Sequence, residues 1–153
     1  MKRMHEHGRT LGWIITSSVA LGLAGHVHAD APGGRFMPGK EIVLDTKTGL
    51  TWQQPVDGTS RNWADAVMYC EGLELDEHDD WRLPSMKELQ TIVDETRYNP
   101  AVDPNAFLNM PIDVFWTSSI WATNPSNAWV VYFSYGYSSI RDTTYSGRVR
   151  CVR

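Results

Sequence analysis

The sequence predicts a small α+β domain with two helices, a small and mainly antiparallel sheet, and one disulfide. Three observations lead there. A capping motif precedes an apolar run at helical spacing, short β-rich runs bounded by turn residues occupy both ends of the chain, and two cysteines stand far apart. The organising stretch is Trp81-Arg82-Leu83-Pro84-Ser85-Met86-Lys87-Glu88-Leu89, a short strand running into a helix. Pro84 removes a backbone donor and biases Leu83 away from helical geometry. Ser85 stands at the N-cap, and Glu88 three positions on completes a capping box. Met86, Leu89, Ile92 and Val93 follow at helical spacing, so a helix reaching about Thr96 has one apolar face.

The other elements follow in order. Lys2, Arg3 and Arg9 precede an apolar run over 11–24, and Val27-His28-Ala29 offers small residues for cleavage before Asp30. Residues 1–29 therefore have the layout of a secretory signal peptide. The apolar run falls short of the ~20 residues that span a bilayer, so no stable membrane insertion is expected after cleavage. Residues 30–40, with two prolines and three glycines, read as a linker or an ordered arm. The domain proper is expected over 41–153. It opens on a hairpin: Ile42, Val43 and Leu44 form one strand, Thr46-Lys47-Thr48-Gly49 the turn, and Leu50-Thr51-Trp52 the return. Ser60 is placed to cap a helix over 61–73, where Trp63, Ala66, Val67 and Cys70 recur at helical spacing and Gly72 supplies a stop. Prolines confine 99–111 to loop and short turns. Strands are expected over 114–118, 128–133 and 148–152.

The whole 153-residue chain has a formal charge of −4. Without Lys2, Arg3, Arg9 and Glu6 it keeps 11 basic and 17 acidic side chains, a charge of −6. That balance argues against a nucleic-acid partner. Glu71, Glu74, Asp76, Glu77, Asp79 and Asp80 crowd one loop, and Arg141, Arg148, Arg150 and Arg153 crowd the C-terminus. Two cysteines in an exported chain read most simply as one disulfide, here Cys70 with Cys151. It would close a loop of about 80 residues and stabilise by about 4 kcal/mol in the chain-entropy model. A reactive thiol pair is the rival reading, without the close spacing or basic neighbours that lower a thiol pKa.

A resemblance joins these pieces. Asp45-x-x-Thr48-Gly49-Leu50-x-Trp52, Ala66-x-x-Tyr69-Cys70 and Trp81-Arg82-Leu83-Pro84-x-x-x-Glu88-Leu89 resemble the Lcl C-terminal domain family. So do Phe115-Trp116-Thr117-Ser118-Ser119, Ala128-Trp129-x-Val131-x-Phe133 and the closing Val149-Arg150-Cys151-Val152-Arg153. The resemblance runs from about Glu41 to Arg153 and implies a C-type-lectin-like fold, in the branch that includes formylglycine-generating enzymes. It also implies that the early-helix cysteine pairs with one on the last strand. The family's name comes from a collagen-like bacterial adhesin, whose collagen repeats this chain lacks.

Fold alone does not assign activity. The resemblance implies that catalysis in the related enzymes needs a copper-holding cysteine pair or a histidine cluster. Here the cysteines are expected in a disulfide and His78 is the one histidine after residue 29. A triad built on His78, or a carboxylate pair from the Glu71–Asp80 run, has no supporting motif. No enzyme activity, catalytic residue or cofactor is expected. The acidic loop offers oxygen ligands for calcium, but its spacing matches no EF-hand, and a solvated loop is the simpler reading.

Binding is the remaining class. Trp116 and Trp129 fall inside expected strands and read as core. Trp121, Tyr135, Tyr137 and Tyr145, with Arg141, lie among Ser, Asn, Thr and Gly, the mixture of rigid aromatic area and adaptable polar groups that recognition loops use. These five form the candidate ligand site, with the nearby arginines available to sulfate or carboxylate groups. The expected function is an exported, periplasmic or extracellular module that recognises a glycan or surface ligand. A protein-binding or periplasmic accessory domain with variable loops is the alternative, and a cryptic enzyme the third. N-terminal sequencing of the exported protein is expected to read Asp30 first, and an intact Met1 would contradict the signal peptide.

Overall fold

The computed structural model describes residues 34–153; the segment read as a signal peptide lies outside them. Two antiparallel three-stranded sheets carry the fold. The first contains β1 (Phe36–Pro38), β2 (Ile42–Asp45) and β3 (Thr51–Gln53), in that order. The second contains β4 (Val114–Ile120), β5 (Asn127–Tyr132) and β6 (Tyr137–Asp142). Between them in the chain lie helices α1 (Trp63–Glu71) and α2 (Met86–Gln90).

The predicted hairpin is β2–β3, with Val43 paired to Trp52 and both fully buried. The stretch expected as a linker or an ordered arm contributes β1, so its latter part is ordered. Its anchor is electrostatic. Arg35 donates to both carboxylate oxygens of buried Asp45, at 3.0 and 2.7 Å, and to the Thr91 carbonyl at 2.8 Å. Burial is the largest single influence and pushes the Asp45 carboxyl up, but the hydrogen bonds from Arg35, Thr48 and the Lys47 amide, with the Arg35 charge, together outweigh it and the net shift is downward.

Helix α1 starts at Trp63 rather than 61, because Asn62, not Ser60, is the N-cap and accepts from the Asp65 amide. Gly72 ends it as expected. Both halves of the predicted capping box on α2 form: the Glu88 amide donates to Ser85 Oγ at 3.2 Å, and the Ser85 amide to Glu88 Oε2 at 2.8 Å. The helix stops at Gln90, however, not near Thr96. The Thr91 hydroxyl donates back to the Glu88 carbonyl, and Asp94 folds a turn onto Thr96, so side chains replace helical bonding. Leu89 and Ile92 are nevertheless buried as the apolar spacing predicted.

Register fixes which face each strand residue occupies. Val114, Trp116, Ala128 and Val130 face the core cluster that holds Ala66, Cys70, Trp81 and Leu83. Phe115, Val131 and Phe133 face the other cluster, with Leu89, Ile92, Val102 and Phe107. The second sheet is thus covered on both sides, by α1 on one and by α2 with the 99–111 loop on the other. Trp81 is buried and donates to the Leu75 and His78 carbonyls.

Two strand expectations are corrected. Neither 81–83 nor 148–152 is a strand of a sheet: each forms only isolated bridges, Arg82 and Trp52 with Val152, and Phe115 with Arg148. The reason is that 147–153 crosses between sheets instead of extending one. Conversely β6 was not expected, because Tyr-Ser-Ser-Ile-Arg-Asp shows no apolar alternation. The predicted disulfide is present: Cys70 and Cys151 are joined and fully buried.

Gly136 closes the β5–β6 hairpin at φ +77°, and an added Cβ would fall 2.5 Å from Val93 Cγ1. Gly136→Ala should therefore cost about 2 to 4 kcal/mol, from left-handed strain plus overpacking. Adding Val93→Ala should recover the steric part in a denaturation series. Recovery of nothing would refute the contact.

Glu88 is held at a pKa of about 2, from 4.5, mainly by the hydrogen bonds from Arg82. A depressed carboxylate stabilises above its unfolded pKa, and that stability is lost as pH falls through the folded value. Wild-type stability should therefore decline between pH 4.5 and 2 more steeply than that of Glu88→Gln. Parallel declines would contradict this assignment.

Candidate functional site

The predicted site residues divide between two ends of the second sheet. Tyr137 opens β6 and Arg141 lies four residues on, so both project from the same face. Tyr145 follows in the next turn, its amide donating to the Asp142 carbonyl at 2.9 Å. Tyr132, which sequence reasoning omitted from the site, joins them. It pairs directly with Tyr137 across the hairpin, and the two rings stack at 4.7 Å and 12°. The Arg141 guanidinium carbon lies 5.3 Å from the Tyr132 ring centre and 5.6 Å from that of Tyr145. Buried Trp116 meets Tyr145 edge-on at 6.4 Å, which places this strip directly on the core. The signal for Tyr132 was its alternation with Trp129 and Val131.

The other two candidates stand apart. Tyr135 is exposed in the β5–β6 turn. Trp121 is half-buried at the opposite end of β5, its amide donating to the Asn127 carbonyl at 2.9 Å. Six-residue β5 separates them, about 20 Å at the rise of a strand. Tyr137, Arg141 and Tyr145 are therefore brought together, and Trp121 and Tyr135 flank them. Of the two tryptophans read as core, Trp116 is fully buried and Trp129 half-buried.

Arg141 differs from every other described arginine. Six are paired with carboxylates: Arg35 with Asp45, Arg61 with Asp57, Arg82 with Glu88, Arg97 with Asp94, Arg148 with Asp113, and Arg153 with Asp80. Arg150 is fully buried. Arg141 is exposed, forms no carboxylate pair, and has only a 3.3 Å bond to the Ile140 carbonyl beside its two rings. The expectation that several C-terminal arginines could meet a ligand thus reduces to this one. Desolvation raises the Tyr132 pKa, and Arg141 draws it partly back. The buried Tyr132 hydroxyl has no partner of hydrogen-bond geometry, so Arg141 acts on it by proximity.

Arg150 has an internal role. Its Nη1 donates to the Gln53 and Gln54 carbonyls, its Nη2 lies 3.1 Å from Met110 Sδ, and its guanidinium carbon is 5.1 Å from the Phe107 ring centre. Desolvation draws its pKa down to about 9, which still leaves it cationic at neutral pH. Dipoles and a ring replace a counter-ion.

The acidic loop forms an open cleft lined by Glu41, Glu74, Asp76, Glu77, His78 and Asp79. Asp76 and Glu77 take positive φ in the turn that pairs Leu75 with His78. Among the described residues no three His, Cys, Asp or Glu side chains converge as a metal-binding group. The sequence motifs, the α1-to-C-terminus disulfide and the Trp81–Leu89 junction all fall within residues 41–153, which match the model of the Lcl C-terminal domain. The chain belongs to that family. No curated protein matches it. In this Lcl C-terminal domain, Arg150 belongs to the frame and Arg141 to the surface.

Arg150→Met would leave the Gln53 and Gln54 carbonyls without that donor in the core. A loss of about 2 kcal/mol or more is expected by chemical denaturation, the cost of buried unsatisfied groups. An unchanged midpoint would show that the guanidinium is dispensable.

Proposed function

We propose that this Lcl C-terminal domain is an exported, non-catalytic binding module whose Tyr132, Tyr137, Arg141 and Tyr145 face recognises a glycan or similar surface ligand. The observation that carries the reading is Arg141: an exposed guanidinium, without a carboxylate, held over two tyrosine rings. Tyr137 and Tyr145 are exposed at 50 and 41%, leaving aromatic area for a sugar ring. The guanidinium supplies a planar set of donors to hydroxyl, carboxylate or sulfate oxygens. Trp121 and Tyr135 extend the surface at either end.

Two further readings accompany this one. The buried disulfide suits an oxidising compartment, in agreement with export. A C-type-lectin-like arrangement is supported by the covalent tie from α1 to the final segment. Both cysteines are in that tie, so neither serves as a copper ligand.

Binding to a glycan array is expected at roughly micromolar to millimolar affinity, about 4 to 8 kcal/mol. For charged glycans it should weaken with salt. The double substitution Tyr137→Ala, Arg141→Ala should reduce binding at least ~10-fold, a difference of about 1.4 kcal/mol, while the melting temperature stays near wild type. Binding that survives in a folded double variant would place the ligand elsewhere.

A further inference from the structure

Among the described residues, three of the four sheet edges are closed. β1 is three residues long and ends on Pro38, which has no N–H to offer. β3 is covered by the C-terminus: Thr51 and Arg153 exchange both backbone bonds at 2.9 Å, and Gln53 donates to the Cys151 carbonyl. β4 is covered by Arg148, which bonds Val114 and Trp116, and by Pro84, which accepts from Ser118. β6 alone stays open. It runs six residues in unbroken register with β5, contains no proline, lysine or bulge, and has its charges, Arg141 and Asp142, only at its C-terminal end.

Its hydrogen-bonding direction follows from the register. The Thr143 amide donates to the Ser126 carbonyl at 2.8 Å, so alternate residues Tyr137, Ser139 and Arg141 bond to β5. Ser138 and Ile140 then turn their N–H and C=O groups outward. Only the Ile140 carbonyl has a contact there, the 3.3 Å approach of Arg141.

We propose that a second copy of this chain pairs antiparallel with β6 about a two-fold axis at Ser139, making one six-stranded sheet. In this register Ser138 exchanges both backbone bonds with Ile140 of the partner subunit, and the reverse pair repeats them. Ser139 faces the partner's Ser139, a small residue where side chains approach most closely. Tyr137 lies opposite the partner's Arg141, adding a cation–π contact on each side of the axis. The two guanidiniums stand four residues apart along the strands, about 13 Å, where their repulsion is largely screened. The self-complementary patch is what a two-fold interface requires. The strand pairing itself rests on the backbone groups of Ser138 and Ile140, whereas Tyr137 and Arg141 are shared with the proposed ligand face. The dimer would set two such faces side by side, and paired weak sites gain by effective concentration.

Sedimentation equilibrium of the intact exported protein, over roughly 1 to 500 μM, covers the range expected of a small strand-paired interface. Amide exchange read by NMR on the same samples locates that interface. The dimer should appear with rising concentration, the Ser138 and Ile140 amides should gain protection in step with it, and Ser139→Lys should weaken association at least ~10-fold by placing like charges face to face. A monomer throughout the range overturns the proposal. So does self-association that leaves those two amides unprotected, or that survives in a folded Ser139→Lys variant.

Discussion

The last seven residues hold the two sheets together, and most of the structure depends on that clamp. Gly147 bridges Arg61, and Arg148 lies along β4. Arg150 ties down the carbonyls at the end of β3, and Cys151 joins α1 through the disulfide. Val152 bridges both Trp52 and Arg82, while Arg153 pairs with Thr51 and Asp80. Neither three-stranded sheet is large, and small sheets need a packed partner for independent stability. The clamp supplies that partner without adding a regular strand. It also explains a cation buried without a carboxylate: the carbonyls of Gln53 and Gln54 need donors there, and a guanidinium reaches both. Close approach is part of the same design, since Gly147 lies where a Cβ would stand 2.9 Å from Trp116 Nε1.

The clamp also determines what the surface can offer. By burying Arg150 and pairing Arg148 with Asp113 and Arg153 with Asp80, it gives three of the four C-terminal arginines partners within the chain. Arg141 lies on β6, outside the clamp, and keeps its donors. Its support comes from below, through Tyr132 and Tyr145 to Trp116 in the core. A side chain held between rings loses less conformational freedom when a ligand arrives than one waving in water. The surface is therefore local in charge. A negative chain overall carries one supported cation on an aromatic strip.

Local chemistry was legible in the sequence wherever one residue type decides the geometry. Pro84, Ser85 and Glu88 specified the α2 junction, Gly72 the end of α1, and the two cysteines their bond. The hairpin around Thr46–Gly49 was legible for the same reason. Elements decided by tertiary contacts were not. The run 148–152 has strand composition, but its backbone bonds go to β3, to β4 and to Arg82 in the segment before α2, which no periodicity records. β6 is polar because it is an edge strand, and its pairing depends on β5. Within the site, Tyr137, Arg141 and Tyr145 were found from composition, whereas Tyr132 was hidden among core residues of its strand. The ion pairs that withdraw Arg148 and Arg153 join residues far apart in sequence and left no local trace.

The free guanidinium on the tyrosine strip is the proposed ligand contact. The most direct measurement is an NMR titration that follows the Arg Nε–Hε resonances and tyrosine ring signals while neutral and acidic oligosaccharides are added. Arg141 Nε–Hε and the rings of Tyr132, Tyr137 and Tyr145 should shift together and saturate with one affinity, while Arg150 stays still. Saturable shifts confined to the acidic cleft around Glu74 and His78, with Arg141 unmoved, would contradict that contact.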